Sequence, residues 1–279
     1  MTVSLDEVGE VARQRGDAAR KAATRPLIRV VGLDKRYPVR QGEPVQALSG
    51  VGFDLQDGEF LSVVGPSGCG KSTLLRIMAG LDRATRGEVL LGGEPVSRPS
   101  RDIGIVFQQP TLLPWRSVLE NVLLPAQMQR LDRAHSLSRA RDLLELVGLS
   151  GFVGNYPFEL SGGMQQRVAI CRALVCDPRI LLMDEPFGAL DAMTREQMNV
   201  ELMRIQAEQQ KTVVFITHSI PEAVFLGDRV MVMTKRPGRA KKIFKIDLPR
   251  PRDYEMRVTP EFNELKLEIW NELKDEITV

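Results

Sequence analysis

Residues 60–80 read FLSVVGPSGCGKSTLLRIMAG, and this stretch decides the fold. An apolar run ends in a glycine-rich loop, and helical spacing follows from Ser72. Gly65 to Ser72 match G-x-x-x-x-G-K-[ST]. Glycines let such a loop curl its backbone N–H groups around phosphate oxygens. Lys71 then reaches the β- and γ-phosphates, Ser72 ligates Mg²⁺, and the following helix N-terminus adds positive potential. The strand before the loop and the helix after it are the context the motif requires.

Further strands flank this unit. LIRVVGL (27–33) and VQALSGVGFDL (45–55) read as strands separated by the loop PVRQGEPV (38–45). IGIVF (103–107), RILLMDE (179–185) and TVVFITH (212–218) are short apolar runs, and the last two suit parallel strands buried on both faces. Strands alternating with helices predict an α/β domain. Residues 119–130 and 137–149 have helical periodicity, and Leu137, Ala140, Leu144 and Val147 share one face with Gly148 as a cap. The segment from about 108 to 158 therefore reads as an inserted helical subdomain. Residues 164–175 predict another helix. Residues 260–277 predict an amphipathic one with Phe262, Leu265, Ile269 and Leu273 on a stripe.

Composition narrows the class. The 279 residues include 38 Lys+Arg and 36 Asp+Glu, a formal charge of +2, with 43% hydrophobic residues. That excludes a fibrous chain and a protein whose main task is coating nucleic acid with charge. No apolar run approaches the ~20 residues needed to span a bilayer. Cys69, Cys171 and Cys176 form no C-x-x-C pair, and His135 and His218 are the only histidines, so a His-rich metal site is not expected. His135 reads as solvated, and Cys171 and Cys176 as core. A bulky adduct on Cys69, inside the phosphate loop, is expected to block nucleotide. Residues 1–26 lack an apolar signal core and read as a solvated tail. Residues 235–252 hold eight Lys/Arg and one acid, which reads first as a solvated face.

Two other elements carry chemistry. Asp184-Glu185 end a buried strand: one carboxylate can hold Mg²⁺ through water, and its neighbour can polarise an attacking water. Ser161-Gly162-Gly163 precede a helix. Ser161 can be its N-cap, but the same helix end can bind an anion. One domain already has a complete phosphate cradle, so a second makes sense if it serves the nucleotide of another subunit.

GPSGCGKST (65–73), LSGGMQQR (160–167) and ILLMDEP (180–186), in this order, resemble the ATPase subunit of an ABC transporter over about residues 27–240. The resemblance implies a P-loop, RecA-like ATPase core with an antiparallel β subdomain and the helical insertion. It implies a tail at 1–26, an ATP-binding domain at 27–245 and a C-terminal helical extension at 246–279. ATP and Mg²⁺ are the implied cofactors. Glu185, His218 and Gln108 would be catalytic, and Ser72, Gln108 and Asp184 would serve the metal. Tyr37 would stack on adenine, and the loop Gly65, Pro66, Ser67, Gly68, Cys69, Gly70, Lys71, Ser72 and Thr73 would hold phosphate. Ser161, Gly162 and Gly163 would complete the site of a partner copy, with Ala189-Leu190-Asp191 touching that partner. Tyr37 can also be a strand-edge aromatic and His218 a capping histidine. Gln108 and Gln109 both fit the sensing position.

QQPTLLPWRSVLENV (108–122), EPFGALDAMTRE (185–196) and KRPGR (235–239) are similar to the nitrate/sulfonate/taurine importer branch. That implies a homodimer closed by ATP, integral membrane permease subunits and, indirectly, an extracytoplasmic solute-binding protein. It implies a peripheral place on the cytoplasmic face of the inner membrane and no nucleic-acid partner. Leu113 and Trp115 become candidate permease contacts, or else pack within the insertion. The alternative is a soluble ABC-type ATPase acting on nucleic acid or protein complexes.

Overall fold

The computed structural model describes residues 26–40, 42–188 and 190–277. The expected tail at 1–26 lies outside them except for Pro26. The strands are β1 Ile28–Tyr37, β2 Val45–Leu55, β3 Phe60–Val64, β4 Arg86–Leu91, β5 Glu94–Pro95, β6 Ile103–Val106, β7 Ile180–Asp184, β8 Thr212–Ile216, β9 Arg229–Met233 and β10 Ala240–Lys245. They form a four-stranded antiparallel sheet, β2-β1-β4-β5, and a six-stranded sheet, β10-β9-β3-β8-β7-β6. The larger sheet is parallel except for β10 at its edge.

Every residue of β3, β7 and β8 is buried, as their unbroken apolar runs require of strands covered on both faces. The two-residue period sorts their side chains into two cores. Leu61, Val63, Ile180, Leu182, Val214 and Ile216 pack towards the antiparallel sheet and the helix α1 Lys71–Met78. Phe60, Val64, Leu181, Met183, Val213 and Phe215 face the remaining helices.

The insertion contains α2 Val118–Met128 and α3 Arg133–Leu146. Ser117 and Glu120 form a capping box that starts α2. The second helix starts earlier than its apolar period indicates, because Asp132 caps it by accepting from the His135 N–H at 2.7 Å. Gly148, at φ 68°, ends the connection as expected. Three further helices are α4 Gly162–Leu174, α5 Ala192–Gln209 and α6 Ile220–Leu226. The last, α7 Pro260–Ile277, buries Phe262, Ile269 and Leu273 of its predicted stripe in the second core, with Leu265 partly buried there.

The basic run is mostly the solvated face it reads as, with Lys235, Arg236, Arg239, Lys242, Lys245 and Arg250 exposed and Arg252 the exception. Its middle is the edge strand β10, which pairs with β9. Arg252 is buried and donates to the carbonyls of Val224, Phe225 and Gly227, satisfying the end of α6. Burial lowers its pKa to about 10. Among the described residues no helix is long and apolar enough to cross a membrane.

Candidate functional site

The carboxyl ends of β3, β6, β7 and β8 open on one cleft of about 390 Å³. The parallel register makes these four ends neighbours, so residues far apart in sequence meet there. Ser67, Gly68, Gly70, Lys71, Ser72 and Thr73 of the phosphate loop line it, with Tyr37, Gln108, Glu185 and His218.

The loop needs its glycines. Gly68 and Gly70 have φ of 72° and 108°, and a Cβ on Gly70 would stand 2.8 Å from the Ala47 carbonyl oxygen. Helix α1 starts with no side-chain cap and no acidic residue in its first turn, which leaves N–H groups for an anion. Lys71 is 5% exposed. Its ammonium donates to the carbonyls of Gly65 (2.8 Å) and Pro66 (3.0 Å), so the cation is held at the loop.

Glu185 follows the last residue of β7, with φ 47° and its N–H bonded to the Ile216 carbonyl. Positive φ is strained for a side chain of this kind and recurs at functional sites. Here it accompanies two contacts. Gln108 Nε2 donates to Glu185 Oε2 at 3.0 Å, and His218 Nε2 lies 2.5 Å from Glu185 Oε1. Gln108, not Gln109, therefore lines the cleft. Asp184 is buried beneath it, and burial raises its carboxyl pKa, while Ser72 and Lys71 act the other way. One buried Asp184 oxygen, Oδ1, has no hydrogen-bond partner. The Tyr37 hydroxyl donates to Asp82 Oδ2 at 2.9 Å, which fixes the ring at the cleft wall, with the Lys35 ammonium 4.7 Å from its centroid.

Several expected residues lie outside this cleft. Ser161 caps α4, its hydroxyl accepting from the Met164 N–H at 3.2 Å, and neither it nor Gly162 or Gly163 lines the pocket. Asp191 caps α5 by accepting from the Thr194 N–H at 3.0 Å, and its carboxyl is held below the usual range by the Thr194 hydroxyl and backbone. Gly65 and Pro66 belong to the loop without lining the cleft. Cys69 turns its side chain into the core, 1% exposed, and burial raises the thiol pKa. A buried thiol of raised pKa is a poor nucleophile, so an adduct there forms slowly.

Arg236 is a lining residue that the sequence reading missed. Its guanidinium donates to the Gly68 carbonyl from Nε (3.2 Å) and Nη2 (3.0 Å). It stands in KRPGR (235–239), which carries the family resemblance but does not show a contact with a loop 168 positions away. Gln166 of α4 is also informative: buried, it donates to the Phe107 carbonyl at 3.1 Å and so ties α4 to the segment that carries Gln108.

The family described as ABC transporter matches residues 48–188. The chain is 53% identical over 236 residues to an uncharacterized ABC transporter ATP-binding protein of Methanocaldococcus jannaschii, covering 85% of this chain and 87% of that protein. It is 48% identical over 239 residues to the taurine import ATP-binding protein TauB of Rhizobium johnstonii (84% and 91% covered). It is 42% identical over 234 residues to the aliphatic sulfonates import ATP-binding protein SsuB of Bacillus cereus, with the same coverage. Among solved structures, a dimeric bacterial ABC transporter cassette superimposes with a TM-score of 0.73 at 37% identity, over 80% of this chain and all of that one. A post-hydrolysis state bound to ADP and Pi matches with the same score at 36% identity, again over 80% of this chain and all of that one. With its phosphate loop, its strand-end carboxylates and relatives along most of its length, the chain belongs to the ABC transporter ATP-binding family.

Proposed function

We propose that this chain is the ATP-hydrolysing subunit of a membrane importer for taurine, aliphatic sulfonates or a similar small solute. The observation that carries the catalytic reading is Glu185, held between Gln108 and His218 at the mouth of the phosphate-loop cleft. Glu185 orients and deprotonates the attacking water, and His218 steadies the γ-phosphate beside it. Lys71 and the free N–H groups of α1 neutralise the phosphates. Tyr37 stacks on adenine, and Arg236 braces the loop through Gly68. Ser72, Gln108 and Asp184 are the residues that would hold Mg²⁺, a fit supported by the unpartnered Oδ1 of buried Asp184. When bound, the ion supplies charge neutralisation across the β- and γ-phosphates. The test is phosphate release by the full chain with Mg-ATP. Uptake of taurine, alkanesulfonates or nitrate by cells carrying its permease then separates the solutes.

Ser161–Gly163 complete the site of a second copy, and ATP closes the two copies face to face. The exposed α4 N-terminus, outside its own chain's cleft, supports this reading. Ser161→Arg is expected to leave ATP affinity within about twofold yet reduce turnover roughly 100-fold or more, because a bulky cation obstructs the partner's γ-phosphate. Mixed with Lys71→Ala, it should regain one composite site. Inactive mixtures with proven heterodimers would place both motifs in one chain's site.

Permease subunits dock on the insertion, with the chain peripheral on the cytoplasmic face of the inner membrane and a solute-binding protein on the far side. Trp115 is 71% exposed, and buried Asn121 fixes its loop by bonding the carbonyls of Leu113, Arg116 and Ser117 and the Leu113 N–H. An aromatic held out on a rigid loop suits a hot spot. Trp115→Ala is expected to weaken permease association by ~2 kcal/mol, roughly 30-fold, while ATPase of the isolated subunit stays near wild type. Normal assembly and uptake would remove Trp115 from the interface.

A further inference from the structure

A second cavity, of about 100 Å³, lies behind the Glu185–His218 pair and reaches Thr217, Arg195 and Glu222. Glu222, in the first turn of α6, is 5% exposed and takes no part in the chemistry above. The Ser219 N–H donates to Thr217 Oγ1 at 3.0 Å, so that hydroxyl keeps its proton for Glu222 Oε2, with which it makes a short hydrogen bond. The Glu222 N–H in turn donates to the Ser219 hydroxyl at 3.3 Å. These bonds close a ring around the backbone of His218. Thr217 is also tied to the sheet by its N–H, which donates to the Val63 carbonyl at 3.2 Å.

Two cations lie near Glu222 without bonding its carboxyl. Arg195 of α5 faces the carboxyl across the cavity, and its guanidinium donates to the carbonyls of Phe187 (3.3 Å) and Leu190 (3.0 Å) in the loop after Glu185. Arg257, from the segment before α7, is the other cation acting on Glu222. It pairs with Glu196 at 2.6 Å and lies over the Phe225 ring at 4.2 Å. Glu222 Oε1 is buried without a hydrogen-bond partner among the described residues, so the Thr217 hydroxyl on Oε2 is the bond that fixes the carboxyl.

We infer that Glu222 is a positioning residue for ATP hydrolysis, holding His218 in place through the hydroxyl of Thr217. The inference rests on the proposed roles of Glu185 and His218. The ring touches none of the loop residues that hold the phosphates and acts only through the placement of His218, whose contact with the γ-phosphate matters most as that group transfers. Its loss therefore lowers kcat and leaves the KM for ATP in place.

The test is steady-state ATPase of the full chain with five single variants: Glu222→Leu, Glu222→Gln, Thr217→Val, Thr217→Ser and Glu185→Gln. Circular dichroism checks that each is folded. Glu222→Leu and Thr217→Val should lower kcat at least about tenfold with KM within about twofold. Glu222→Gln and Thr217→Ser keep the acceptor and the donor, so each should stay within about threefold of wild type. If Glu222→Leu does not fold, the milder Thr217→Val decides. Near-normal kcat in Thr217→Val, or KM rising in step with the loss of kcat, overturns the positioning role. Full activity in Glu185→Gln would instead overturn the catalytic reading beneath it. An inactive Glu185→Gln beside a fully active Thr217→Val would leave that reading standing and remove the positioning role alone.

Discussion

Glu185→Gln is expected to bind ATP as tightly as the native chain, within about twofold, and to lose ~10²–10⁴-fold in turnover. The amide is nearly isosteric, so it keeps a hydrogen-bonding group in the place now set by Gln108 and His218. It cannot take a proton from water. The loss corresponds to roughly 3–5 kcal/mol of transition-state stabilisation and appears in kcat rather than KM. On the proposed reading that ATP contacts both halves only in the closed state, a copy that binds but does not hydrolyse should also stay closed on its partner. Size-exclusion chromatography with ATP should then give a persistent dimer, and ADP should not. A monomer in both nucleotides, or near-normal phosphate release, would show that water activation lies elsewhere.

Lys71→Ala should fail one step earlier. The ammonium is almost fully buried and already turned to the loop carbonyls of Gly65 and Pro66, so it is placed before nucleotide arrives. Removing a charge-assisted donor of this kind costs about 1.5–3 kcal/mol, or roughly 10- to 100-fold in ATP affinity. Turnover should fall further, since charge on the transferring phosphoryl group is greatest in the transition state. Calorimetric titration with Mg-ATP reads the first effect and phosphate release the second. The contrast with Glu185→Gln is informative: one variant loses binding and turnover, the other turnover alone. Unchanged affinity in Lys71→Ala would mean that the helix N-terminus and loop N–H groups carry the phosphates by themselves.

Much of this molecule is dictated locally. Residues 60–80 had to form strand, tight loop and helix, because apolar spacing, glycine conformational freedom and the Lys-Ser pair agree at each position. The buried runs at 180–184 and 212–216 likewise named themselves as central strands. The stripe at 260–277 named a helix with one buried face. Helix α5 gave a weaker signal, since apolar residues such as Met193 and Val200 are exposed while Asn199 and Gln206 are buried. The basic run gave an incomplete one. Most of its Lys and Arg are exposed as read, but composition does not reveal that β10 is paired, that Arg252 caps α6 from within or that exposed Arg236 reaches Gly68.

What only the tertiary structure decided is adjacency. Sequence could not choose between Gln108 and Gln109, because either can follow β6. Pairing of β6 with β7 brings Gln108 to Glu185 and leaves Gln109 outside the cleft. It could not turn the Cys69 thiol inward, since that follows from how the loop curls against the core. Nor could it show that Glu222, Thr217 and Arg195 line one cavity with Glu185 and His218, because they meet through contacts among β8, α5 and α6. Local periodicity and loop stereochemistry are properties of neighbouring residues and can be read along the chain. A site made from the ends of four strands depends on their order in the sheet, which long-range packing sets.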